Sequence, residues 1–328
     1  MLSKRQNLLE TIHGGNPDRY VNQFEAFKMA MGSPMSKLNP RLKKGDMLVK
    51  NAWGVYKSFP ANVPGAFPVH DPEHVVIKDI TRWREYVTIP PTKFPDEEWA
   101  PFEQRAAEID TNEYFRTCLV GPGIFEQCHY LMEMQTCLLN FYVEPECMHE
   151  VVDMLTEWEL SWAEELCKHI KPTAILHHDD WGSRTSSFLS PEMFAEYFLE
   201  PYKKIYGYYH DHGVELIVHH SDSYGANLLP YMVEMGIDIW QGCMRANNIP
   251  KMIEEWGGKI SFMCGIDNQD IDDPNWNEER VRAVVEQAIR EGSRHYFIPC
   301  MAAGGAMSTY PGVYEAVSRE IERINSEL

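Results

Sequence analysis

From about residue 113 onward, short apolar runs alternate with longer stretches in which apolar residues recur every three or four positions. The short runs cover 118–121, 174–178, 215–219, 237–241, 260–264 and 295–299. Several are almost wholly apolar, as expected of parallel strands covered on both faces. The longer stretches predict helices. Residues 149–170 place Val152, Leu155, Trp158, Trp162 and Leu166 at steps of three and four. The 190–212 stretch opens with Ser190, Pro191 and Glu192, an N-cap followed by a first-turn proline and acid, and stops at Gly213. Further helices are expected at 277–291, stopped by Gly292, and at 314–326. Such alternation builds βαβ units around a parallel sheet. Six strands, one more within 19–27 and room for another predict an α/β fold, a (β/α)8 TIM barrel. An open doubly wound sheet is the competing arrangement.

Residues 1–112 break this rhythm. They hold eleven of the 21 prolines, which predicts long loops and short elements. The expected organisation is a single TIM-barrel domain over 1–328, with an irregular, loop-rich N-terminal extension (1–112) that includes the first strand, then regular βα units (113–328). No low-complexity tract or internal repeat interrupts it.

Composition narrows the partners. The chain has 49 acidic against 30 basic residues, a net charge of −19, which argues against nucleic acid or an anionic membrane surface. No apolar run approaches the roughly 20 residues needed to span a bilayer. Residues 1–9 lack the apolar core of a secretory signal, so a cytoplasmic location is expected. The eight cysteines form no Cys-x-x-Cys pair and read as buried, reduced thiols unless context says otherwise.

In a parallel α/β fold, chemistry gathers where strands end. The predicted strands end in Gly121-Pro122-Gly123, His178-Asp179-Asp180-Trp181-Gly182, His219-His220-Ser221-Asp222, Gln241-Gly242-Cys243, Gly265-Ile266-Asp267-Asn268 and Cys300-Met301-Ala302. Residues two apart share a strand face, so His220 and Asp222 can point together into the barrel mouth. With Cys300 from the last strand they form a tridentate zinc set with an open position. The competing reading is a hydrogen-bonded polar pair beside a core thiol. Asp179 and Asp180 face opposite ways, so one of them is expected in the site as a base, a substrate contact or a turn cap. His177 and His178 carry the same ambiguity. The 121–126 segment lacks the third glycine of a dinucleotide fingerprint, and 149–153 lacks the second histidine of a zinc-protease motif.

At these residues the chain resembles the uroporphyrinogen decarboxylase superfamily over nearly its whole length. Lys4-Arg5 through Gly15-Asn16-Pro17-Asp18-Arg19 is similar to the family's opening, and Gly123-Ile124-Phe125-Glu126 to its second strand and helix. His178-Asp179-Asp180-Trp181-Gly182, with Leu189-Ser190-Pro191-Glu192-Met193-Phe194 and Glu200-Pro201-Tyr202, resembles a characteristic block. His220-Ser221-Asp222 and Gly265-Ile266-Asp267 resemble later strand ends. The decarboxylase's arginine-rich N-terminal motif is replaced by Arg19-Tyr20-Val21-Asn22-Gln23-Phe24. Among the superfamily's zinc methyltransferases, His-x-Cys becomes His220-x-Asp222 while Cys300 keeps the second cysteine position. Trp53-Gly54-Val55 and residues 64–68 look similar to the methyltransferase component of aryl-ether O-demethylases of anaerobes.

That resemblance implies a (β/α)8 barrel and a zinc-dependent methyltransferase. The methyl of a small methoxylated aromatic would pass to cobalt(I) of a corrinoid (cobalamin) on a separate corrinoid protein, with Zn2+ on His220, Asp222 and Cys300. Asp179 or Asp180 would act catalytically, by orienting His220 or meeting a substrate hydroxyl. Glu25 (as a ligand or a substrate contact), His178, Trp181, Tyr224 and Trp240 are expected at the substrate, with core packing the commoner role for any one of the three aromatics. The alternatives are a metal-free decarboxylase using Asp179, and a barrel that only binds a small molecule or corrinoid partner.

Overall fold

The computed structural model describes residues 1–63 and 65–328; Pro64, the first residue of the 64–68 segment singled out above, lies outside them. Ten strands occur among the described residues: β1 Phe27–Met29, β2 Val49–Lys50, β3 Tyr56–Ser58, β4 Phe67–Pro68, β5 Phe115–Val120, β6 Ala174–His178, β7 Leu216–His220, β8 Ile239–Gln241, β9 Ser261–Ile266 and β10 Phe297–Met301. Seven form one parallel sheet in the order β1-β5-β6-β7-β8-β9-β10. The small strands β2, β3 and β4 form a separate antiparallel sheet.

The two-residue period sorts each long strand. Phe27, Phe115, Ala174, Leu216, Val218, Ile239, Met263, Ile298 and Cys300 pack together inside the curled sheet. Their neighbours Cys118, Val120, Ile175, Ile217, Trp240, Phe262, Cys264 and Phe297 pack outward against helices. Both faces are dry, which is why the sequence shows continuous apolar runs rather than alternation.

The six later strands lie within a few residues of their predicted positions, and Ala174–His178 coincides with its run. The helices Pro145–His169, Glu278–Glu291 and Val313–Ser326 also match. The predicted 190–212 helix is interrupted by a wider π-type turn over Ala195–Leu199 before Glu200–Asp211. Pro201, which has no N–H to continue the ladder, sits at that junction.

The expected eight-stranded closure is corrected: no eighth strand joins β10 to β1 among the described residues. Residues 19–26, expected to hold the first strand, bond to the last helix instead. Asn22 Nδ2 donates to the Ser318 carbonyl at 3.0 Å, and Gln23 Nε2 to Ser318 Oγ at 2.8 Å and the Tyr314 carbonyl at 3.2 Å. Tyr20 is held at both backbone groups by Asn325. Gln23 takes a φ of 51°, which no strand accommodates. Side-chain bonds thus replace a ladder, and β1 begins only at Phe27. No helix among the described residues is long and apolar enough to cross a membrane.

Gln23 is fully buried, and its Oε1 also accepts from the Met301 amide on β10 at 3.5 Å. Gln23→Leu should therefore lower stability by about 1–3 kcal/mol, because it strands buried partners. Urea unfolding checks this, with the midpoint moving down at unchanged slope.

A candidate metal centre at the ends of β6 and β7

β6 and β7 run in register, with His177 opposite His219 and His178 opposite His220. One residue of each pair faces outward. His177 is buried, with Nε2 2.5 Å from Glu159 of the Pro145–His169 helix. His219 is buried between Tyr206, the Asp179 carbonyl and a stacked Trp181 ring at 3.8 Å. These two histidines hold strands to helices.

The other residue faces the mouth. His178 and His220 stack with ring centroids 4.6 Å apart. With Asp180 they form a cluster whose ligand atoms lie within 4.8 Å of one another. His220 Nε2 stands 4.0 Å from Asp180 Oδ1. Each ring is aimed from behind. His178 Nδ1 bonds Glu126 Oε2 at 2.7 Å, and His220 Nδ1 bonds Gln241 Oε1. Both Nε2 atoms are therefore left for the site, the arrangement that orients metal-binding imidazoles.

Electrostatics agree with that reading. Burial works against a charged His178, but the bond to Glu126 and the charges of Glu126, Asp180 and Asp179 outweigh it and hold its pKa up at about 10. The same acidic surroundings would attract a metal cation, which has to displace that proton from His178 in order to bind. Burial, then the nearby His178 charge, push His220 down. Burial, then the charge of Asp180, push Asp222 up to about 7. The donor set, two imidazoles and a carboxylate, suits zinc and related divalent ions.

Asp179 turns the other way and is wholly buried. It accepts from the Phe125 amide at 3.1 Å, the Glu126 amide at 2.8 Å, Trp181 Nε1 at 2.8 Å and the Tyr202 hydroxyl. Burial and then the charge of Glu126 push its carboxyl up to about 7, against these donors. It anchors the N-terminus of the Ile124–Met132 helix rather than facing substrate. Gly123 makes this possible: a Cβ there would come 2.5 Å from that of Asp179.

The remaining expectations separate. Cys300 does face inward, but Gln241 stands between it and His220. Its Sγ lies 4.0 Å from Gln241 Nε2 and 3.4 Å from the Met301 carbonyl, outside the cluster. Asp222 lies at the edge, with its amide bonded to Asp180 Oδ1 at 3.0 Å. Glu25 is corrected outright. It precedes β1 and so sits at the opposite end of the sheet from the mouth, in a cavity of about 450 Å³ with Lys4, Lys28, Tyr114 and Tyr314. Trp181 and Trp240 take the core-packing role that was the alternative for them. Both are buried, their indole N–H groups committed to Asp179 and the Ser221 carbonyl, so neither presents a face to substrate. Tyr224 remains half-buried on the loop after β7.

The residue missed from sequence is Glu126. It stands 52 positions from His178, and the only signal was its place in Gly123-Ile124-Phe125-Glu126, at the third position of a helix whose strand-end glycines imply close approach.

The uroporphyrinogen decarboxylase (URO-D) family model matches residues 120–323. The chain belongs to that family. No curated protein matches it. Among solved structures, a methyltransferase from Methanosarcina mazei superimposes with a TM-score of 0.66 at 13% identity, covering 99% of each chain, so the two share a fold. An endo-beta-1,4-mannanase double mutant from Cellulomonas fimi covers 99% of this chain and 76% of its own at 14% identity. Its TM-score of 0.38 is too low to bear on the fold. In this URO-D family member, the matched span begins at the end of β5 and takes in Glu126 and the whole cluster.

The two adjacent aspartates should behave oppositely. Asp179→Ala leaves four buried donors without an acceptor and should cost at least about 3 kcal/mol or prevent folding. Asp180→Ala should stay within about 1 kcal/mol of wild type, because that carboxylate is partly exposed. Thermal unfolding of the two variants side by side makes the comparison.

Proposed function

We propose that this protein is a zinc-dependent methyltransferase that takes the methyl group of a methoxylated aromatic and passes it to the corrinoid of a separate protein. The observation that carries the reading is the His178–Asp180–His220 cluster, with both rings aimed from behind by Glu126 and Gln241. Two further findings support it. The chain belongs to a family in which an enzyme is expected, and its fold is shared with a methyltransferase.

His178, Asp180 and His220 would hold the zinc. Bound there, zinc would supply Lewis acidity to the ether oxygen and favour the phenolate as leaving group. The protein's own residues do the rest. Glu126 and Gln241 fix the imidazoles, so no reorganisation is needed when substrate arrives. Asp222, whose carboxyl is pushed up to about 7 by burial and Asp180, sits beside the cluster as a proton donor or acceptor for a substrate hydroxyl. Leu119, at the next inward position above Thr117 on β5, is 58% exposed, and offers the open mouth an apolar wall. The aryl ring and the incoming corrinoid protein would share that opening.

A ligand set of His220, Asp222 and Cys300, as the sequence resemblance implied, requires Gln241 to leave its place between two of the three. Elemental mass spectrometry distinguishes the sets. Purified protein should carry about one zinc per chain. His220→Ala and Asp180→Ala should lose it, while Cys300→Ser keeps it. Loss in Cys300→Ser with retention in Asp180→Ala would restore the alternative set. Wild type that takes up no zinc and passes no methyl from methoxylated aromatics to cobalt(I) corrinoid would overturn the function.

A further inference from the structure

The antiparallel sheet β2–β4 brings a cation to the edge of the mouth. Lys57, at the centre of β3, has its Nζ 4.9 Å from the centroid of the Tyr130 ring. The Tyr130 hydroxyl in turn reaches Glu126 Oε1 at 3.4 Å, and the other oxygen of Glu126 holds His178. Lys57 is therefore linked to the metal cluster through the Tyr130 ring and the Glu126 carboxylate that holds His178.

This ammonium is half-buried and has no acid partner. The lysine ion pairs among the described residues belong to Lys37, Lys93, Lys168, Lys203 and Lys251. Glu126, the acid whose charge it feels, is committed to His178. A partly desolvated cation with only a ring face for company gains from a counter-anion brought by a ligand. Acidic groups gather around the cluster itself. Glu126, Asp180 and Asp222 line it, and His129 is held neutral, pushed down to about 4 by burial and then by His70. Zinc bound at the cluster would also attract a ligand carboxylate, and Lys57 offers it a second place, on the Tyr130 ring face away from the acids.

We propose that Lys57 binds a carboxylate on the methyl donor, which makes the substrate a methoxylated aromatic acid rather than a neutral aryl ether. The proposal rests on the methyltransferase reading for its methyl group, though not for its carboxylate. The carboxylate sits at the Lys57 end, the ring runs past Tyr130, and the methoxy oxygen lies toward the cluster.

The test compares zinc-treated wild type with Lys57→Met, a change that keeps the stem packed on Tyr130 and removes the charge. The probes are 4-methoxybenzoate and its uncharged amide, with binding followed by calorimetry. Wild type should favour the acid by about tenfold or more, the effect of one charge-assisted hydrogen bond. Lys57→Met should abolish that preference at unchanged zinc content. Equal affinity for acid and amide in wild type, a preference that survives Lys57→Met, or no binding of either would overturn the assignment. Methyl transfer is scored separately. A Lys57-dependent preference without methyl reaching cobalt(I) keeps the carboxylate site and removes the transferase. Equal transfer from both probes keeps the transferase and removes the carboxylate site.

Discussion

The buried carboxylate of Asp179 is the constraint from which the site is built. Its two oxygens collect the amides of Phe125 and Glu126, the indole of Trp181 and the hydroxyl of Tyr202, and that same hydroxyl accepts from the Ile124 amide at 2.9 Å. The opening amides of the Ile124–Met132 helix are thereby satisfied at the end of β6. A carboxylate this deep is costly to bury, and the donors together with the helix N-terminus offset that cost. Gly121 and Gly123 are needed because the helix must come close. A Cβ at either would press on His178 or Asp179. With the helix pinned there, Glu126 in its first turn has its place against His178.

Strand periodicity then divides the paired residues. His177 and His219 go outward to Glu159 and Tyr206, while His178 and His220 go inward to each other. Asp179 goes to the helix and Asp180 to the cluster. A slip of one residue in β6 or β7 would exchange these sets, placing the metal-competent side chains in the core and the structural ones in the mouth. The register between β6 and β7 is thus both a packing requirement and the condition for any metal chemistry.

These divisions explain what could be read from sequence. Six strands were legible because both of their faces are dry. The sheet β2–β4 was not, since its strands are two or three residues long and only partly buried. The 19–26 segment looked strand-like, but Asn22 and Gln23 spend their amides on the last helix. His220 could be placed from strand facing alone. Cys300 could not, because facing inward says nothing of what stands between two strands, and here Gln241 does. Trp181 and Trp240 followed strand ends yet pack behind them, where their indole N–H groups find partners. Glu126 was hidden because its contact with His178 crosses from a helix to a strand through the Asp179 anchor, a route that no spacing rule reports.

The charge of the chain acquires a local meaning at the mouth. A net charge of −19 would be unremarkable if spread over the surface. Here Glu126, Asp180 and Asp222 converge on two imidazoles. Such a field would favour a divalent cation over a molecule bearing many carboxylates. Arg19, which stands where the decarboxylase's arginine-rich motif would be, is occupied with Asp18 at 2.6 Å. Lys57, half-buried on the Tyr130 ring and without an acid partner, is the one feature beside that acidic field on which the proposed carboxylate contact rests.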